Sequence, residues 1–135
     1  HKQLNHRHRE MFTYNLYHKY FQNQEKSYLP FEKFYNHEIK SSDDYSGLIL
    51  KDWCHNKIYY QIEVYKIYND NKYDLYFLKS KGDRNLENHA IEIITILENN
   101  KIEWDIENKY FMASNFTEAN LISTLKKICS EFNNL

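Results

Sequence analysis

The stretch from Lys57 to Ser80 constrains this chain most. Ile58, Tyr60, Ile62 and Val64 alternate with Tyr59, Gln61, Glu63 and Tyr65. Side chains along a strand point to opposite faces with a period of two, so the first set shares one face and that face must be covered. Asn69-Asp70-Asn71-Lys72 then interrupts the pattern with residues that accept turn conformations, and Tyr73-Asp74-Leu75-Tyr76-Phe77-Leu78 resumes it. The expectation is an antiparallel hairpin around which the remaining amphipathic segments pack.

Upstream, Leu4, Met11, Phe12, Leu16, Tyr17, Tyr20 and Phe21 recur mostly at helical spacing and predict a first helix over Leu4 to Gln22, stopped near Pro30. Phe31 to Lys40 reads equally as a helical turn or a strand. Ser41-Ser42-Asp43-Asp44 signals a turn, and Gly47 to Trp53 is expected to be a short edge strand beside the main hairpin. Downstream, Asp83 or Asn85 is expected to cap a helix through Asn99, with Leu86, Ala90, Ile93 and Leu97 as its buried line. Ile102, Trp104 and Ile106 predict one face of a second hairpin with Tyr110 to Ser114. Asn115 or Thr117 is expected to cap a last helix with Leu121, Leu125, Ile128 and Phe132 in one stripe, widened by Ile122 and Cys129.

The expected fold class is α+β, an antiparallel sheet with helices on one face, in the order α-β-β-β-α-β-β-α. Its 135 residues suit a single domain over 1–135. Because the first residue is His1, the chain is expected to be a piece of a longer protein. No stretch approaches the roughly 18 apolar residues of a membrane span, and Cys54 and Cys129 are too far apart in sequence to suggest a metal site. A cytoplasmic location with reduced thiols is the expectation, with no membrane.

Eighteen Lys and Arg against nineteen Asp and Glu leave a net charge of -1, which argues against a uniformly basic, phosphate-binding surface. Two Glu-x-Lys patterns, Glu38-Ile39-Lys40 and Glu107-Asn108-Lys109, have the residue types of a nuclease metal site, but the pattern places no further acidic ligand. The histidines form no ligand spacing, and His55 beside Cys54 and His89 near a buried helix line read as structural. There is no nucleophile elbow and no glycine-rich phosphate loop. The expectation is a chain with no catalytic residues, no metal and no cofactor.

Tyr59 and Tyr65 flank Gln61 and Glu63 on the second face of the central strand, and Tyr76 is expected to join them from the next strand. Exposed aromatic rings of this kind stack bases, and Lys79, Lys81 and Arg84, with Arg7, Arg9 and Lys19 further upstream, supply local positive charge for a nucleic acid. The same tyrosines also cover a half-buried sheet well, and Glu63 among them repels phosphate. A protein partner or self-association is therefore favoured over nucleic acid. Trp53 and Trp104 are both expected to be structural anchors facing inward, with Trp104 the costlier to remove because Trp53 is placed on an edge.

Leu50-Lys51-Asp52-Trp53, Tyr59-Tyr60-Gln61-Ile62-Glu63-Val64 and Asp74-Leu75-Tyr76-Phe77, continued by Ile102-Glu103-Trp104 and the final helix, resemble the C-terminal accessory region of uncharacterised bacterial PD-(D/E)XK nuclease-like proteins. The resemblance spans roughly residues 45–135. It implies an accessory module for partner recognition, assembly or target sensing in a defence-type protein, whose catalytic domain lies outside this chain. It assigns no functional residue.

Overall fold

In a computed structural model, residues 36–41, 45–67 and 72–135 are described. Among them the order is β1 (Asn36–Ser41), β2 (Tyr45–His55), β3 (Ile58–Ile67), β4 (Lys72–Lys79), a 3-10 turn (Leu86–Asn88), α1 (Ile91–Asn99), β5 (Glu103–Asp105), β6 (Tyr110–Phe116) and α2 (Glu118–Asn133). The strands form one antiparallel sheet ordered β1-β2-β3-β4-β6-β5. The expected helix over 4–22 and most of the Asn69–Lys72 turn lie outside the described residues.

The α+β class with an antiparallel sheet is present, but the expected element order is met only in part. Four strands precede the first described helix, because the ambiguous Phe31 to Lys40 region contributes β1. β1 pairs along β2 from Asn36↔Lys51 to Ser41↔Ser46. β2 is therefore an 11-residue interior strand and not a short edge. The two expected hairpins also belong to the same sheet, since β6 pairs with β4 as well as β5.

Local chemistry accounts for most of the joints. β2 and β3 meet through Asn56-Lys57, whose φ angles of 50° and 66° are those of a mirror-image two-residue turn that matches strand twist. The β2 register shifts between the pairs Leu50↔Ile62 and Trp53↔Tyr60, where two positions on β2, 51 and 52, stand opposite one on β3, Gln61. That extra residue turns Trp53 onto the same face as Leu50, which strict alternation would forbid. α1 ends with Lys101 at φ 62°; the Lys101 N–H donates to the Glu98 carbonyl and the Ile102 N–H to the Leu97 carbonyl. This paired closure carries Ile102 into the core beside Leu97. α1 begins at Ile91, later than expected, after the 3-10 turn takes up Leu86–Asn88. Thr117, not Asn115, caps α2: its hydroxyl accepts the Asn120 N–H at 3.2 Å.

Both described helices cover one face. Leu48, Leu50 and Trp53 of β2, Tyr60, Ile62 and Val64 of β3, Leu75 and Phe77 of β4 and Phe111 of β6 meet Ile93 and Leu97 of α1 and the full expected stripe of α2. Trp53, 1% exposed, stacks on Phe132 with ring centroids 4.4 Å apart and touches Phe77 and Tyr60. Trp104 is only half-buried, against Phe111 and His89. Ile106 is 80% exposed in the β5–β6 turn, so it does not share the inward face of Ile102 and Trp104.

The expected ranking of the tryptophans is thus reversed by the interior position of β2. Trp53→Ala should lower stability by about 3–5 kcal/mol, and Trp104→Ala by clearly less. Denaturant midpoints of the two variants check this; equal midpoints would show that Trp53 is not the central anchor.

Candidate functional site: the tyrosine face

The helix-covered side of β3 carries Tyr60, Ile62 and Val64, so Gln61, Glu63 and Tyr65 point to the second face, with Asp74 and Tyr76 beside them on β4. No described helix packs there. Tyr65 and Tyr76 meet edge to face at 5.6 Å, Tyr76 meets Tyr110 at 5.0 Å, and Tyr45 meets Tyr65 at 5.1 Å. These four rings come from β2, β3, β4 and β6, four neighbouring strands, and form a diagonal row about 14 Å across the sheet. Each consecutive pair is a diagonal neighbour: Tyr65 lies directly opposite Asp74, and Tyr76 opposite Glu63 and Met112. Diagonal spacing is what long aromatic side chains bridge.

Carboxylates fix the phenol ends. Tyr65 donates its hydroxyl to Glu63, Gln61 donates to the other oxygen of Glu63 at 2.7 Å, and Tyr76 donates to Asp74 at 3.5 Å. Burial, then the hydrogen bond to Glu63, raises the Tyr65 pKa far above that of a free phenol. Burial and the Asp74 charge push Tyr76 up to about 12, and Glu63 adds to the rise at Tyr76 and Tyr110. The centre of this face therefore carries negative potential.

Gly47 makes the row possible. It lies opposite Tyr65, and a Cβ built on it would stand 2.5 Å from Tyr65 Cε1 and 2.6 Å from Cδ1, so one edge of the ring occupies the space that a side chain would need. Gly47, Tyr45, Asp74 and Tyr110 were not singled out by sequence reasoning, since cross-strand adjacency depends on register and only Tyr65 and Tyr76 carried a legible pattern.

Of the sequence-predicted site residues, Tyr65 and Tyr76 come together in the row, while Tyr59 pairs with Lys81 and Arg84 with Lys79 away from it. Tyr59, 46% exposed, lies on β3 about 20 Å from Tyr65, with Lys81 Nζ 5.8 Å from its ring centroid. Arg84 donates to the Lys79 carbonyl, and the Lys79 side chain is buried opposite Tyr60 on the helix-covered side. The basic residues therefore do not join the tyrosine row. Glu107 and Lys109 sit in the exposed β5–β6 turn, which Asp105 closes by accepting the Glu107 and Asn108 N–H groups. The side chains of Glu38 and Lys40 lie outside the described residues. Among the described residues no group of three His, Cys, Asp or Glu converges to hold a metal. Both cysteines are free; burial pushes the Cys129 thiol up to about 12. No helix among the described residues is long and apolar enough to cross a membrane.

A second polar cluster lies at the opposite end of β3. The hydroxyls of Tyr60 and Ser80 and Nε2 of His89 are buried without a hydrogen-bond partner, and the Tyr60 and His89 rings are 5.9 Å apart. His89 Nδ1 donates to the Asn85 carbonyl at 3.0 Å, which leaves Nε2 as a lone-pair acceptor. Outside it, His55 Nε2 meets Glu92 at 2.9 Å and ties the end of β2 to the first turn of α1.

Burial, reinforced by the Lys79 charge, lowers the His89 pKa from its ordinary 6.5. The folded state thus favours neutral His89, and its contribution to stability is complete above about pH 6.5 and lost as pH falls from there towards the lower folded value. His89→Phe should flatten that loss in denaturation series run between about pH 6.5 and pH 5; identical pH slopes in both proteins would refute the assignment. Gly47→Ala should force the Tyr65 ring off the sheet, cost about 1–3 kcal/mol and change the near-ultraviolet dichroism. An unaltered tyrosine signal would show that the ring does not rest on the glycine.

No family model, curated protein or solved structure matches the chain, so no residue role comes to it from a relative.

Proposed function

We propose that this chain is a non-catalytic interaction or assembly module that binds a protein partner, a second copy of itself included, through the tyrosine face. One observation carries the reading: the tyrosine row of β2, β3, β4 and β6 is set among Glu63 and Asp74, and not among basic residues. Rings of this size supply apolar contact area at little conformational cost, as tyrosine does at protein interfaces. Carboxylates at the same place repel a phosphate backbone. With the resemblance over residues 45–135, the module would serve as the accessory part of a bacterial nuclease-like or defence-type protein in the cytoplasm.

One arrangement favours the runner-up, a nucleic-acid-binding module: Tyr59 is exposed and has Lys81 over its ring, with Arg84 three residues further on. That patch has one stacking ring, whereas single-strand binding normally combines several with a continuous basic groove.

The two readings separate by salt. Gel filtration of the chain with a mixed oligonucleotide at about 50 and 200 mM salt should show no comigration, whereas binding through many phosphate contacts would weaken about 10³–10⁵-fold over that range. A photo-crosslinking phenylalanine analogue in place of Met112, between Tyr76 and Glu103 on the tyrosine face, should yield protein adducts in cells. Salt-sensitive comigration, or adducts that nuclease digestion removes, would overturn the proposal.

A further inference from the structure

The charge on the tyrosine face is not neutralised from within the described fold. Glu63 and Asp74 take hydrogen bonds from Gln61, Tyr65 and Tyr76, all neutral donors, and among the described residues no lysine or arginine nitrogen lies within ion-pair distance of either carboxylate. The two carboxylates stand beside aromatic rings, whose faces carry the negative side of the aromatic quadrupole. Both features attract a cation. The rings stand edge to face, with interplanar angles of 75° and 66° at Tyr65–Tyr76 and Tyr76–Tyr110, and the hydroxyls of Tyr65 and Tyr76 reach the carboxylates.

We infer that the occupant of this face is a basic segment of another protein, which lays an arginine side chain over Tyr65 and Tyr76 against Glu63 and Asp74. This rests on the reading of the face as a protein-docking surface and names the chemistry that the surface selects. Arginine suits it better than lysine: its planar guanidinium stacks on an aromatic ring while its N–H groups reach a carboxylate in a paired geometry. Lysine brings the same charge as a strongly hydrated point and stacks less well. Phosphate and acidic peptides are disfavoured by the carboxylates of Glu63 and Asp74.

The full chain is titrated with three labelled peptides of equal length, an Arg-Gly repeat, a Lys-Gly repeat and a Glu-Gly repeat, and with a neutral Tyr-Gly repeat. Binding in the order Arg-Gly, then Lys-Gly, with no Glu-Gly binding, is expected. The double variant Glu63→Gln and Asp74→Asn should weaken Arg-Gly binding about tenfold or more, because two charge-assisted contacts are lost. Glu87→Gln with Glu98→Gln removes two carboxylates from the exposed surface of the 3-10 turn and α1 and should leave binding unchanged. Tyr76→Phe keeps the ring and most of the affinity, whereas Tyr76→Leu loses it. Melting curves of each variant show that the fold is kept.

Equal weakening by the two double variants would mean attraction to overall charge and would overturn the inference. Binding of the Tyr-Gly peptide alone would overturn it too while leaving the face a protein-docking surface. Binding of no peptide, the result expected if another part of this chain or a second copy fills the face, overturns the basic partner. The docking reading itself falls by the salt-sensitive comigration or the nucleic-acid adducts described above.

Discussion

The structure depends on one constraint, the alternation of side chains along β3. This ten-residue strand has neighbours on both sides, and its register with β2 and β4 sends Tyr60, Ile62 and Val64 to the helices and Gln61, Glu63 and Tyr65 to the second face. A slip of one residue would exchange the two sets and place a carboxylate under the helices, at the cost of a buried unpaired charge. The bulge in β2 adapts its neighbour to the same division. By inserting one residue it brings Trp53 under Phe132, so the largest side chain of the strand joins the helix-covered core. The fold is thus a two-sided device, with aromatic and aliphatic packing on one side and ordered phenols on the other.

The two sides use tyrosine differently. Tyr60 is fully buried, stacked on Phe77 at 5.0 Å, and its hydroxyl has no partner. Leaving such a group unsatisfied costs free energy, and it shares that end of the sheet with Ser80 and His89 in the same condition. Tyr65, Tyr76 and Tyr110 keep their phenols on the other face, where Glu63 and Asp74 accept the Tyr65 and Tyr76 hydroxyls and Asn108 bonds that of Tyr110. That arrangement gives up little stability on ordering and presents a rigid surface, which is what recognition of a side chain requires.

The sequence was read best where the signal was local. The last helix kept every member of its expected stripe, because six apolar positions at helical spacing face one way regardless of what they meet. The Ile93 and Leu97 line held for the same reason, although α1 started later than the capping residues suggested. Strand β1 was ambiguous because six residues without a clean apolar alternation carry little periodicity, and its identity rests on pairing with β2. Ile106 was misplaced since the turn closed by Asp105 begins there, and hydrogen bonds to a side chain leave no mark in a hydrophobic pattern.

By itself the sequence determined which residues must be hidden: the alternation of Lys57–Ser80 and the helical stripe at the C-terminus are properties of short segments, set by side-chain geometry along one element. It also placed Tyr65 and Tyr76 on a common face, since each follows from the parity of its own strand. Only the tertiary structure decided what lies beside them. Strand order brought Tyr45 and Tyr110 into the row, register laid Tyr65 over Gly47, and the bulge chose the anchor between two tryptophans. These are relations between segments far apart in the chain, and the free energy that selects them comes from packing the whole sheet against its helices, which no single segment contains.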